Sequence, residues 1–220
     1  MTEARYEPPR FIAIEGPLRV GKTSLADRVA GRLGALRLRD VEDNPFLAEF
    51  YAGKRGAAFQ AQLYFLMHRA RQHEKLDLTA SAGRMIVSDY LFAKDRIFAY
   101  LNLNDEELPV YEDIYNLAVE RVPTPDLVIY LQGKPEVLRD RIARKRERFE
   151  QRITDEYLLE VVAAYEHFFN RYRETDLLVI ETTGIDFVER EEDLEQLLKR
   201  LALPVRGTQY FLPLGSNDRD

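Results

Sequence analysis

Cysteine is absent from the 220 residues. Its absence excludes a disulfide framework, thiolate metal sites, iron–sulfur ligation and cysteine nucleophiles together. It also fits a reducing compartment. Histidine is scarce: His68, His73 and His167 are the three present, and none stands at the spacing of a zinc site. No apolar run approaches the roughly 18 residues of a membrane span. The opening segment, residues 1–10, lacks the apolar core of a signal peptide. A cytoplasmic protein without membrane partners is therefore expected. Positive charge is in deficit, with 32 Lys and Arg against 38 Asp and Glu, a net charge of −6. Proteins that hold polymer DNA or RNA usually carry a basic face, so such a partner is not expected. There is no internal repeat, low-complexity tract or linker. What remains is 45% hydrophobic and 32% charged, the balance of a folded globular chain. Its length suits one domain over 1–220, with a core at about 10–203 and a tail at 204–220.

Short, continuous apolar runs at 11–14, 85–87, 127–131 and 177–180 predict buried strands, with a weakly patterned fifth at 36–38. Helical spacing marks 22–33, 57–76, 106–121, 135–148, 155–173 and 187–202. In the 106–121 helix, Ile114, Leu117, Ala118 and Arg121 are expected on one side. Strands of this kind alternating with helices predict an α/β fold, a central parallel β-sheet of about five strands with helices on both faces.

Gly16-Pro17-Leu18-Arg19-Val20-Gly21-Lys22-Thr23 is GxxxxGK[ST], set between a predicted strand and a predicted helix. Glycines let successive N–H groups turn inward toward phosphate oxygens, and the helix N-terminus adds a positive dipole end. Lys22 is expected at the β and γ phosphates, and Thr23 offers a hydroxyl to Mg²⁺. Ser24 follows at the same helix start. Asp89, at the end of the strand 85–87, is the carboxylate expected near the metal. The class is phosphoryl transfer or nucleotide hydrolysis. No Asn-Lys-x-Asp that would read guanine in a GTPase is present.

Further constellations point to a small acceptor. Gln62 and Arg69 lie seven apart on one helix, about 20° out of register, so an amide and a forked donor share a stripe suited to a nucleobase edge. Asp95, six after Asp89, is available to orient Arg69. Residues 139–152 hold seven basic side chains against three acidic ones. After the third strand of a P-loop protein, such a run can form a lid that neutralises charge in the transition state.

Phe11-Ile12-Ala13-Ile14-Glu15-Gly16-Pro17, the run Val41 to Leu47 with Phe50-Tyr51, Gln62 with Arg69, the Asp89–Ala99 segment and Pro125-Asp126-Leu127-Val128-Ile129 recur in a family's order. Over roughly residues 10–170 the chain resembles the deoxynucleoside kinases, in their bacterial deoxyguanosine/deoxyadenosine kinase branch. The resemblance implies a P-loop kinase fold with a helical lid, and ATP-dependent phosphorylation of a deoxynucleoside 5′-hydroxyl with Mg²⁺. It implies Gln62, Arg69 and Asp95 at a purine or cytosine base, and Tyr51 and Glu150 at the sugar 3′-hydroxyl. It also implies Arg141 and Lys145 as lid cations at the donor, and a homodimer.

Three positions depart from the family pattern. The usual glutamate base, five before Asn44, is Arg39, which leaves Glu42, the first choice, or Asp40 to accept the hydroxyl proton. The usual arginine after the acid of the second motif is Tyr90, with Arg19, Arg39 or Arg96 as candidate replacements. The usual lid Arg-Gly-Arg is Lys145-Arg146-Glu147; on one continuous helix Arg144, Arg146 and Arg148 would point to different faces. Two other readings stand beside a deoxynucleoside kinase. One is a nucleoside monophosphate kinase resembling thymidylate kinase; the other is a nucleotide-binding module without catalysis.

Overall fold

The computed structural model describes residues 8–80, 83–145, 150–187 and 190–212, without the side chains of 77–80. Six strands form one parallel sheet in the order β2-β3-β1-β4-β5-β6: β1 Phe11–Glu15, β2 Leu36–Leu38, β3 Ile86–Ser88, β4 Leu127–Gln132, β5 Asp176–Glu181 and β6 Thr208–Phe211. Among the described residues eight α-helices surround it: α1 Lys22–Leu33, α2 Leu47–Tyr51, α3 Ala57–Ala80, α4 Lys94–Asn102, α5 Glu107–Val119, α6 Pro135–Lys145, α7 Asp155–Arg171 and α8 Glu191–Leu201.

Why the strands lack polar alternation is plain from the packing. Ile12, Ile14, Ile129, Leu131, Leu178 and Ile180 meet Leu25 and Val29 of α1, Leu138 of α6 and Leu194 and Leu197 of α8 on one face. Their alternate neighbours Ala13, Val128, Tyr130, Leu177 and Val179 meet Ile97 of α4 and Val161, Tyr165 and Phe169 of α7 on the other. Both faces are covered, so both residue parities must be apolar.

The sheet has one strand more than expected. β6 comes from the tail, pairs in parallel with β5, and alternates exposed with half-buried residues at an edge, too short a pattern to announce itself. The stretch 213–220 lies outside the described residues. In α5 the expected stripe needs correction: Leu117 is 71% exposed, while Tyr111 and Tyr115 are the buried residues, packing against Leu66 and Phe92. Short helices α2 and α4 were not foreseen, because five- and nine-residue segments carry little periodicity.

His73 on α3 is 1% exposed, among the rings of Phe11, Tyr90 and Phe92, with neither ring nitrogen hydrogen-bonded. Burial, and then Arg69, pull its pKa down to about 4. The unfolded chain therefore takes up the proton first, and stability present above about pH 6.5 drains away as pH falls toward 4. His73→Phe should remove one proton from that slope and leave stability at pH 7.5 equal or higher, since two unpaired polar atoms go. Urea unfolding at pH 7.5 and pH 5 checks it; an undiminished acid slope would refute it.

Candidate active site

β1 and β3 are neighbours whose following chains leave in opposite directions, to β2 beyond β3 and to β4 beyond β1. Such a crevice at the carboxyl ends of parallel strands is where open α/β sheets bind ligands. A cavity of about 830 Å³ opens there, lined by Leu18 to Ser24, Asp40, Glu42, Tyr51, Gln62, Arg69, Asp89, Lys94, Arg141, Lys145 and Glu150 among others.

Backbone conformation makes the P-loop. Gly16 has φ 155°, and a Cβ there would lie 2.4 Å from the Leu131 carbonyl oxygen. Gly21, at φ 109°, caps α1, whose first residues Lys22 to Ser24 line the cavity with N–H groups that lack intrahelical partners. Arg19 holds φ 59° without being glycine, strain of order 1–3 kcal/mol that surrounding contacts must offset. One such contact is its guanidinium on Glu150, with Nε 2.8 Å from Oε2. Arg141 of α6 donates to the Val20 carbonyl at 2.9 Å, holding the loop from outside. Pro17 is buried, and Lys145 and Ser24 stand exposed at the mouth.

Glu15, fully buried at the end of β1, accepts the Gly16 N–H and the Leu91 N–H, each at 2.8 Å, and the Tyr165 hydroxyl at 3.2 Å. It ties the P-loop to the segment after β3. The Lys22 ammonium donates to the Gly16 and Pro17 carbonyls at 2.6 and 3.0 Å. Burial brings its pKa down to about 8, with Glu15 opposing and Lys94 adding to the depression. A cation desolvated in this way is stabilised by an incoming anion.

Asp89 directly follows β3, is 3% exposed, accepts the Asp40 N–H at 2.6 Å and pairs with Arg37 at 2.8 Å. It shares the cavity wall with Thr23. Asp40 takes Arg69 Nε on one oxygen at 2.8 Å, and Arg69 at 3.1 Å with the Lys94 ammonium on the other. Burial alone would raise this carboxyl; Arg69 and Lys94 overcome it and hold it well below the usual carboxylate range. Glu42 also lines the cavity but is exposed.

Gln62 and Arg69, both buried, reach the cavity from α3, and Phe65 lies under the guanidinium at 4.8 Å. Asp95 sits behind Arg69, fully buried, and accepts its remaining amino group. Burial raises its carboxyl to about 6 against the attraction of Arg69 and Lys94. Asn44 orders the segment carrying Tyr51: its Oδ1 accepts the Phe46 N–H at 3.0 Å and its Nδ2 donates to the Ala61 carbonyl at 3.0 Å. Burial pushes the Tyr51 hydroxyl far above its ordinary value, so it is a neutral donor.

Of the three arginines suggested as replacements at the Tyr90 departure, Arg39 points outward to Asp27 and Arg96 bonds to Glu112, both away from the cavity; Arg19 alone lines it. Lys94 was missed, as were Glu15 and Arg37. Lys94 stood within the motif segment, but nothing in its spacing marked it. In the lid, α6 ends at Lys145, so Arg146, Glu147 and Arg148 lie outside the described residues. No helix among the described residues is long and apolar enough to cross a membrane.

A phosphate-cradling loop after β1, an acidic residue after β3 and a second polar pocket across the same crevice define a P-loop kinase fold. The family model for deoxynucleoside kinase matches residues 12–205. The chain is 34% identical over 193 residues to deoxyguanosine kinase of Bacillus subtilis, covering 85% of this chain and 93% of that protein. It is 26% identical over 218 residues to deoxyadenosine/deoxycytidine kinase of the same organism, covering 95% and 99%. Its fold matches the structure of deoxyadenosine kinase from M. mycoides with bound dCTP, with a TM-score of 0.74 at 24% identity, over 87% of this chain and 98% of that one. The chain belongs to the deoxynucleoside kinase family, and it is an enzyme that phosphorylates a nucleoside from a nucleotide donor.

Proposed function

We propose that this kinase transfers the γ-phosphoryl group of ATP to the 5′-hydroxyl of a purine deoxynucleoside. The observation that carries this is the polarity of one cavity. The P-loop with Lys22 and the polar pair Gln62 and Arg69 line the same cavity. Gln62 offers both a donor and an acceptor to a base edge, Arg69 a fork of donors, and Asp95 fixes that fork from behind. Tyr51 and Glu150 are the sugar contacts, and Arg141 and Lys145 the lid cations near the triphosphate. Pro17 through Ser24 complete the donor site.

Mg²⁺ fits the oxygen-only pair of Thr23 and Asp89, which share the cavity wall. Among the described residues no group of three acidic or histidine side chains could hold a metal alone. That suits an ion bound chiefly through phosphate oxygens. When bound it would neutralise charge on the β and γ phosphates.

Of the two candidate bases, half-buried Asp40 is held in place by Arg69 and Lys94 whereas Glu42 is exposed, and this positioning supports Asp40. Glu42→Gln should leave turnover within about threefold, whereas loss of the general base costs about 10²–10⁴-fold. The same geometry argues against a monophosphate acceptor. Arg69 and Lys94 are already matched by Asp40 and Asp95, so an acceptor phosphate would meet two carboxylates. A homodimer is supported by the apolar side chains exposed on neighbouring helices, Val110 and Leu117 of α5 with Tyr100 of α4. Cytoplasmic location is part of the same reading.

Purified protein with ATP and Mg²⁺ should convert deoxyguanosine or deoxyadenosine to the monophosphate, followed by chromatography. No turnover with any natural deoxynucleoside would defeat the reading. Gln62→Ala should raise the KM for the nucleoside by about tenfold or more, the worth of a lost base-edge hydrogen bond, while the KM for ATP holds.

A further inference from the structure

The two departures from the family pattern, Arg39 for the glutamate and Tyr90 for the arginine, meet at one place in the structure. Arg39 is exposed and turned to Asp27, but its neighbour Asp40 enters the cavity. Tyr90 is fully buried and carries no charge, but four residues on, Lys94 enters the same cavity and donates to Asp40. The Tyr90 ring lies beneath both cations, 5.9 Å from the Lys94 ammonium and 5.5 Å from the Arg69 guanidinium.

Lys94 is a costly residue where it stands. Its side chain is only 7% exposed, and it is the first residue of α4, where the helix dipole presents positive charge. A lysine buried at that end is disfavoured twice, by desolvation and by the dipole. Arg69 is shared between Asp40 and Asp95, so Lys94 is the second cation of a cluster with two carboxylates, and its bond is to Asp40. Lys94 and Lys22 line the same cavity. Lys94 therefore joins the acid to the cavity that the phosphate cradle also lines.

We propose that Asp40 and Lys94 together form the acid–cation pair of phosphoryl transfer, relocated from positions 39 and 90. This rests on the kinase reading above. The 5′-oxygen forms a bond to the γ-phosphorus, and the bond from that phosphorus to the bridging oxygen breaks, its electron pair leaving on ADP. The hydroxyl proton passes to the Asp40 carboxylate. The Lys94 ammonium neutralises charge on the transferring group. A weakly basic acid suffices, because little proton transfer is needed early in a loose transition state.

The test uses the full chain with ATP, Mg²⁺ and its best deoxynucleoside. Lys94→Ala should lower kcat by about 10²-fold, the worth of one preorganised charge donor. The nucleoside KM and melting temperature should change little. Adding propylammonium should restore part of kcat, whereas propanol, of similar size and uncharged, should not. Asp40→Asn combined with Lys94→Ala should lose little more than the worse single variant, since residues acting as a unit are not additive. A wild-type chain inactive on every deoxynucleoside would defeat the kinase reading instead. An active wild type whose Lys94→Ala variant keeps kcat within about threefold, or is rescued equally by propanol, or whose losses multiply with those of Asp40→Asn, would overturn the pairing. Should Lys94→Ala not fold, Lys94→Met takes its place in the same cycle with Asp40→Asn, and additive losses there overturn the pairing equally.

Discussion

Lys22→Ala is expected to lose about 10²–10³-fold or more in kcat/KM while its melting temperature stays within about 2 °C of the parent. The asymmetry follows from what Lys22 touches. In the unliganded chain its ammonium rests on two P-loop carbonyls, Gly16 and Pro17, and lies 3.8 Å from Glu15. None of these is an apolar core contact, and Glu15 keeps its three other donors when Lys22 is gone. Removing a desolvated cation also relieves a cost. Toward the triphosphate the balance reverses, because in the proposed reaction the same ammonium supplies charge to the β and γ phosphates. Lys22→Arg should not restore activity: a planar fork does not fit where a compact point charge sits between two carbonyls. Steady-state kinetics beside thermal unfolding separate the two effects. A melting temperature lower by 10 °C or more would mean that Lys22 serves the fold first, against the packing described here.

Much of this was legible in the sequence because it is local. The phosphate loop is eight consecutive residues between a strand and a helix, and those neighbours are set by runs such as Phe11–Glu15 whose two parities are both buried. Gln62 and Arg69 were legible through helical period, since both lie on α3. The pairing of Asp40 with Lys94 was not. Which of Asp40 and Glu42 meets Arg69 and Lys94 depends on the turn after β2, where Asp89 fixes the Asp40 N–H. That contact spans 49 residues and leaves no periodic trace. Lys94 was hidden for a different reason. A lysine at a helix start looks like a solvated surface residue, and only the convergence of α3, α4 and the β2 segment encloses it. The misplaced stripe of α5 has the same origin. Tyr111 and Tyr115 are amphipathic by composition, and their burial is decided by α3 and the rings of the neighbouring helices.

Arg69→Met should be the most destabilising single change at the site, by about 3–5 kcal/mol near neutral pH, the cost of removing one partner from a buried ion pair. Asp40 would keep Lys94 and the Val41 N–H. Asp95 would keep no hydrogen-bond donor known from the structure: Arg69 is its partner on one oxygen, and its other oxygen is buried without one. Even beside Arg69 its carboxyl is raised to about 6 by burial. Without the guanidinium it moves higher still, and the folded variant escapes the buried charge by taking up a proton. The sign then follows from linkage. A carboxyl whose folded pKa exceeds its unfolded value binds more protons when folded, so stability falls as pH rises through the interval between them. In the parent that interval ends near 6, and in the variant it extends above. The deficit of Arg69→Met relative to the parent should therefore widen between pH 6 and pH 8. Asp95→Asn in the same background should remove the pH dependence and recover part of the loss, since a neutral amide leaves no charge to bury. Urea unfolding of the three chains at each pH measures this. A deficit below about 1 kcal/mol, the scale of an exposed ion pair, or one that does not change with pH, would show that Asp95 is not held as a charge by Arg69.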